Sequence, residues 1–346
     1  MNAPFGLKAD TLTLPQPYLL FLGDTTERGF AKTALGLRDW APDKCVGELA
    51  LAGATVSTGL PGLTPAEAVA KGARGLVIGV ANPGGVIPAS WRRSLVEALE
   101  AGLDIVSGMH VRLADIPELA ETASLLGRRL IDIRVPPAEI PVATGRKRSG
   151  KRLLTVGTDC ALGKKYTALA LARAFAARGV DADFRATGQT GIMIAGGGMP
   201  MDAVISDFEA GAAEVLSPDA EPGHWDVIEG QGSLAHPAYA AVSLGLLHGS
   251  QPDVFVVCHE PGRTVMLGTA GYQVATIEEI IALTTALGRR TNPDIRCGGV
   301  SFNSSALAEA EATALMEAES QRLGLPVADP VRGGPAFDAL VESCLA

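Results

Sequence analysis

The stretch Leu153-Leu154-Thr155-Val156-Gly157-Thr158-Asp159-Cys160-Ala161-Leu162-Gly163-Lys164-Lys165-Tyr166-Thr167 admits few folds. An apolar, β-branched run ends in a glycine. A polar loop follows, and Gly163-Lys164 opens an Ala/Leu-rich segment of good helix propensity that runs to Ala177. The order is strand, phosphate-cradling loop, helix. Gly157 and Gly163 let backbone N–H groups turn toward an anion, the helix N-terminus adds a favourable dipole, and Lys164 supplies a point charge. A bare glycine-rich strand–helix turn is the plainer alternative. Two departures from the usual P-loop stand out. Five residues separate the two glycines instead of four, and Lys165 stands where a Ser or Thr would bind Mg²⁺.

The long spacing and the opening Gly157-Thr158-Asp159 resemble the loop of dethiobiotin synthetase and its relatives. The absent hydroxyl argues against metal-assisted nucleotide hydrolysis and leaves a phosphate-bearing ligand. The expected phosphate contacts are Gly157, Thr158, Asp159, Cys160, Ala161, Leu162, Gly163, Lys164, Lys165 and Tyr166.

The chain has 346 residues, enough for about two ordinary domains. A net charge of −9 argues against nucleic acid or an anionic membrane as the main partner, so any anionic ligand needs local positive charge. The five cysteines have no CxxC spacing and read as free thiols of a reducing cytosol. Met1 to Pro17 has neither the cationic start nor the apolar run of a signal peptide, and no stretch reaches ~18 apolar residues. A soluble, cytoplasmic protein is expected, with a loose arm over residues 1–17.

The first half repeats strand, loop and helix at short period. Strands are expected at 18–22, 45–51, 75–80, 103–107 and 130–135, with helices near 25–37, 88–101 (ended by Gly102) and 116–126. Thr64-Pro65-Ala66-Glu67 reads as a capped helix start. Arg28, Lys32 and His110 follow strand ends, where open α/β sheets bind ligands; each is also an ordinary surface or structural residue type there. Residues 141–152 read as a basic linker with Arg146, Lys147, Arg148, Lys151 and Arg152, either solvated or anchoring an extra phosphate close to the loop. The expected division is 1–140, linker 141–152, and 153–346.

The second half continues with an edge-like strand at 181–186, then Thr187-Gly188-Gln189-Thr190-Gly191 and a flexible apolar loop over 192–198. A helix is expected from Met201 to Gly211. Strands at 225–228, 253–258 and 297–302 end in Glu229, His259 and Asn303. Parallel strands place Asp159, Lys164, Gln189, Glu229, His236, His259, Arg263 and Asn303 along one edge. Glu229 or a histidine can act as general base, and Arg263 can pair with a carboxylate; capping and turn-stabilising roles are the plainer readings. No spacing resembles a zinc motif, so no tightly bound metal is expected.

Gly157 to Lys164, Thr187-Gly188-Gln189-Thr190-Gly191 and Glu229-Gly230-Gln231-Gly232-Ser233-Leu234 together resemble the C-terminal P-loop domain of the DgcN-type D-glutamate N-acetyltransferase family. Lys32-Thr33-Ala34 with Gly36-Leu37 resembles its N-terminal Rossmann-like domain, so the likeness spans nearly the whole chain. The fold class is then α/β: a Rossmann-like parallel-sheet domain followed by a dethiobiotin-synthetase-like P-loop domain. The resemblance implies acetyl transfer from acetyl-CoA to the amino group of D-glutamate, in D-amino-acid catabolism. On that basis Glu229, His259 and Asn303 are the catalytic candidates. Arg263, Gln189, Lys32 and Arg28 are the substrate-binding candidates. The partners are two small molecules, and the Ala-rich helices permit a homo-oligomer. Two alternatives remain: an ATP-dependent ligase or kinase, with Thr167 or Asp159 binding the metal, and a non-catalytic nucleotide sensor.

Overall fold

The structure, a computed structural model, describes residues 11–269 and 271–346; residues 1–10 of the expected N-terminal arm lie outside them. In chain order the first strands are β1 (Leu12–Thr13), β2 (Tyr18–Gly23), β3 (Cys45–Ala50), β4 (Gly75–Ile78), β5 (Asp104–Ser107) and β6 (Leu130–Asp132). Then come β7 (Lys151–Gly157), β8 (Ala182–Arg185), β9 (Gly197–Gly198), β10 (Trp225–Ile228), β11 (Val254–His259), β12 (Arg296–Phe302) and β13 (Val327–Ala328). The chain forms two compact units. One holds Leu12–Pro136 and Gln189–Ala203; the other holds Pro137–Gly188 and Val204–Ala346.

The N-terminal unit is a five-stranded parallel sheet in the order β3-β2-β4-β5-β6. Every residue of β2, β4 and β5 is buried, as covered sheet faces require of apolar strands. Phe21 and Trp91 meet edge to face at 5.4 Å in its core. Gly102 ends the helix Ala89–Ala101 with φ of 103°, and Thr64 and Glu67 close the expected capping box.

The C-terminal unit is a six-stranded parallel sheet in the order β13-β12-β11-β7-β10-β8. Phe175 and Trp225 anchor its core at 5.4 Å. The chain lays β10 beside β7 on one side and returns as β11 on the other. That reversal opens a crevice at the strands' carboxyl ends, where ligands bind open α/β sheets.

Three expectations need correction. Residues 192–198 are not a flexible loop: Gln189–Ala195 is a helix and Gly197–Gly198 pairs with β1. Its apolar residues are buried, Tyr18 donates its hydroxyl to Met193 O at 3.2 Å, and Lys44 Nζ caps Ile194 O and Ala195 O at 2.9 Å. Residues 201–211 do not start one helix. Two single turns, Met201–Ala203 and Ser206–Phe208, precede the helix Glu209–Leu216, because Ile205 is extended. The basic run is only partly solvated and is not close to the loop: Arg146, Lys147 and Lys151 are exposed. Arg148 and Arg152 are buried, Arg148 donating to Ser217 O at 2.6 Å and Gly249 O at 2.7 Å, while Lys147 meets Asp253 at 2.8 Å. This run leads into the start of β7, and seven extended residues put the loop ~20 Å away.

Candidate functional site

The loop after β7 has its anion-binding form built in. Ala161 has φ of 54° and Gly163 φ of 104°, and such left-handed positions turn successive N–H groups inward. The N–H groups of Leu162, Gly163 and Lys164 meet no acceptor among the described residues. The helix Lys164–Ala177 carries no side-chain cap, so its first amides stay open to a ligand. Lys164 is buried and donates from Nζ to Asp159 O at 2.9 Å. Burial lowers its pKa, against the pull of Cys258, Cys160, Asp159 and Glu229. Lys165 is half-buried with Nζ 4.4 Å over the Tyr166 ring, and burial lowers its pKa too.

Asp159 is fully buried and fully engaged. Its Oδ1 accepts from Cys160 N at 2.6 Å; its Oδ2 accepts from Leu267 N at 2.8 Å and Arg263 Nη1 at 3.1 Å. Arg263 also donates to Cys160 O at 2.8 Å and to Glu260. The expected carboxylate clamp is therefore part of the loop's own scaffold. Thr167 is likewise occupied, its hydroxyl bonding Gly163 O at 3.1 Å and Ser301 Oγ at 2.8 Å.

Glu229 follows β10, the parallel neighbour of β7, and is 5% exposed. Its Oε2 accepts from Thr187 N at 3.0 Å and Gly188 N at 3.1 Å. No hydrogen bond among the described residues ends on Oε1. Burial raises its pKa above the ordinary glutamate range; Lys165 and the two amides oppose that shift. Gly230 is sterically required here, and a side chain at Gly188 would crowd the tips of Gln231 and Glu229. A Cβ on Gly230 would lie 1.6 Å from Thr155 O, and one on Gly188 would lie 2.8 Å from Gln231 Nε2. Gln231 in turn donates to Thr187 Oγ1 at 2.9 Å, which fixes the turn that presents the amides.

His259 ends β11 with Nδ1 2.9 Å from Thr158 Oγ1, and burial lowers its pKa. Asn303 N donates to His259 O at 2.8 Å. His236 is 1% exposed, and Ala238 N donates to its Nδ1 at 3.1 Å, so the neutral ring carries its proton on Nε2. That nitrogen lies 3.9 Å from Asp159 Oδ1. Asp159, Cys160 and His236 bring metal-ligand atom types within 4.8 Å of one another. The protonated Nε2 and the Arg263 cation on Asp159 make this a poor cation cage.

The remaining candidates lie in the N-terminal unit. Arg28, Lys32 and His110 are exposed. Gln189, with its amide oriented to satisfy both ends, donates to Gly108 O at 2.7 Å and accepts from Arg134 at 2.9 Å, so it holds its own helix in place. The C-terminal crevice thus gathers Asp159, Lys164, Lys165, Glu229, His236, His259, Arg263 and Asn303. Leu267, whose N–H holds Asp159, carries no side-chain signal of a site; the Thr187 and Gly188 amides that hold Glu229 lie in the glycine-flanked segment that the sequence singles out.

Strand, anion loop, helix and a buried acid on the adjacent strand define a P-loop α/β protein. The chain belongs to the DUF1611 family: its P-loop domain of unknown function matches residues 141–341, and its Rossmann-like N-terminal domain of unknown function matches 46–136. A protein of Tritonibacter scottomollicae named D-glutamate N-acetyltransferase is 51% identical over 92% of this chain and 96% of its own. A Pseudoalteromonas protein of the same name is 49% identical over 96% and 99%. The crystal structure of a DUF1611 family protein from Anabaena variabilis superposes with a TM-score of 0.81 at 33% identity, covering 95% of this chain and 99% of that one. No helix among the described residues is long and apolar enough to cross a membrane.

Proposed function

We propose that this protein is a D-glutamate N-acetyltransferase that takes its acetyl group from acetyl-CoA. The observation that carries this is near-full-length identity of about half to two proteins of that name. The loop chemistry agrees with an acyl-donor of this kind. Coenzyme A carries a pyrophosphate, and the open amides of Leu162, Gly163 and Lys164 with the Lys164 ammonium suit it. The ligase or kinase alternative is disfavoured, because Thr167 and Asp159 are both engaged within the loop and Lys165 offers no metal ligand.

In the proposed reaction the Glu229 carboxylate takes a proton from the substrate ammonium. The free amine attacks the thioester carbonyl, the nitrogen gives up a second proton as the C–S bond breaks, and that proton ends on the departing coenzyme A thiolate. Burial raises the pKa of Glu229, which makes it the stronger base. The Asn303 amide is the proposed oxyanion donor, and neutral His259 positions Thr158. Arg263 positions the loop through Asp159.

Free-thiol release from acetyl-CoA, followed across a panel of D- and L-amino acids without ATP or Mg²⁺, tests this. D-glutamate is expected to be the fastest acceptor. Thiol release with none of the panel, or ADP formation when ATP is supplied, would overturn the reading.

A further inference from the structure

Lys165 is the residue that the P-loop pattern least explains. In metal-dependent P-loops this position carries a hydroxyl on Mg²⁺, and an acid from a neighbouring strand helps to hold the ion. Here the acid is kept and the hydroxyl is replaced by a cation. Glu229 leaves β10, whose Ile228 is in register with Leu154 of β7, so it flanks the strand that feeds the loop. Its Oε2 is fixed by two backbone amides while Oε1 is left without a hydrogen bond. Lys165 is the second residue of the helix Lys164–Ala177, and its ammonium is half-buried over the Tyr166 ring.

We propose that the Lys165 ammonium takes the place of the divalent cation, so that this P-loop binds a pyrophosphate group without metal. The nearest substitute hydroxyl, Thr167, is bonded to Ser301 and Gly163 and is not offered to an ion. Lys164 and Lys165 together then supply the positive charge for the diphosphate. This rests on the reading that the loop holds the phosphates of an acyl-CoA.

Calorimetric titration of the full chain with coenzyme A, in EDTA and in Mg²⁺, decides it. Wild type is expected to bind equally in both. Lys165→Ala is expected to bind about tenfold or more weakly in both, the loss of a charge-assisted contact. Lys165→Thr is expected to be as weak in EDTA and to regain affinity in Mg²⁺. Wild-type binding that requires Mg²⁺, or a Lys165→Ala variant that binds as wild type, would overturn the proposal. If wild type binds no coenzyme A in either buffer, the acyl-CoA reading fails, and the same titrations with ADP decide the role of Lys165. Metal-independent, Lys165-dependent ADP binding supports it, and Mg²⁺-dependent binding overturns it.

Discussion

Arg263 Nη1 donates to Asp159 Oδ2 at 3.1 Å, and Asp159 is fully buried beneath it. The guanidinium that looks free for a substrate in the sequence instead neutralises the acid that shapes the P-loop. Removing one partner of a buried pair leaves the other charge uncompensated. Arg263→Met is therefore expected to lose about 3 kcal/mol of stability, read from the urea midpoint. Unchanged stability with a raised KM for D-glutamate would show that the arginine binds substrate.

Glu229→Gln is expected to separate stability from activity. Burial raises the folded-state pKa of Glu229, so its stabilising contribution is complete below the unfolded value of about 4.3 and is lost as pH rises through the folded value. A neutral amide still accepts from Thr187 N and Gly188 N. At neutral pH the variant is expected to melt higher than wild type while kcat falls about a hundredfold or more. Full activity would remove Glu229 from the mechanism.

His259 titrates in the opposite sense. Burial lowers its folded pKa, so its contribution is present above the unfolded value of about 6.5 and is lost as pH falls through the folded value. Wild type should lose stability between those two pH values, and His259→Gln should lose less over the same window. Parallel pH–stability curves would contradict this.

Two glycines are expected to fail differently. Gly230→Ala drives a methyl into the Thr155 carbonyl, which cannot yield, and is expected to cost about 3 kcal/mol or more. Gly188→Ala meets only the side-chain tips of Gln231 and Glu229, so the fold should persist, with kcat lowered about tenfold to a hundredfold as Glu229 shifts. Thermal melts with kcat for both variants check the contrast.

The strand–loop–helix at Gly157, the strand-end position of Glu229 and the buried strands were legible because each is a local pattern. What stayed hidden depends on contacts distant in sequence. Nothing local to Arg263 reveals that it folds back 104 positions onto Asp159. The helix Gln189–Ala195 is short and glycine-containing, and the N-terminal unit's Tyr18 and Lys44 hold it, so its own sequence reads as a loop. Arg148 and Arg152 look like surface charge until the carbonyls of Ser217 and Gly249 are placed around them. The helix Ile277–Gly288, absent from the sequence reading, did carry a signal in its Thr276–Glu279 capping box.

The most direct test is product stoichiometry. Purified protein in EDTA, without ATP, is given acetyl-CoA and D-glutamate, and free coenzyme A and N-acetylglutamate are quantified by mass spectrometry. Equimolar formation of the two is expected, and neither should form at an appreciable rate when D-glutamate is omitted. Coenzyme A appearing without acetylated amine, or product that requires ATP, would contradict the assignment.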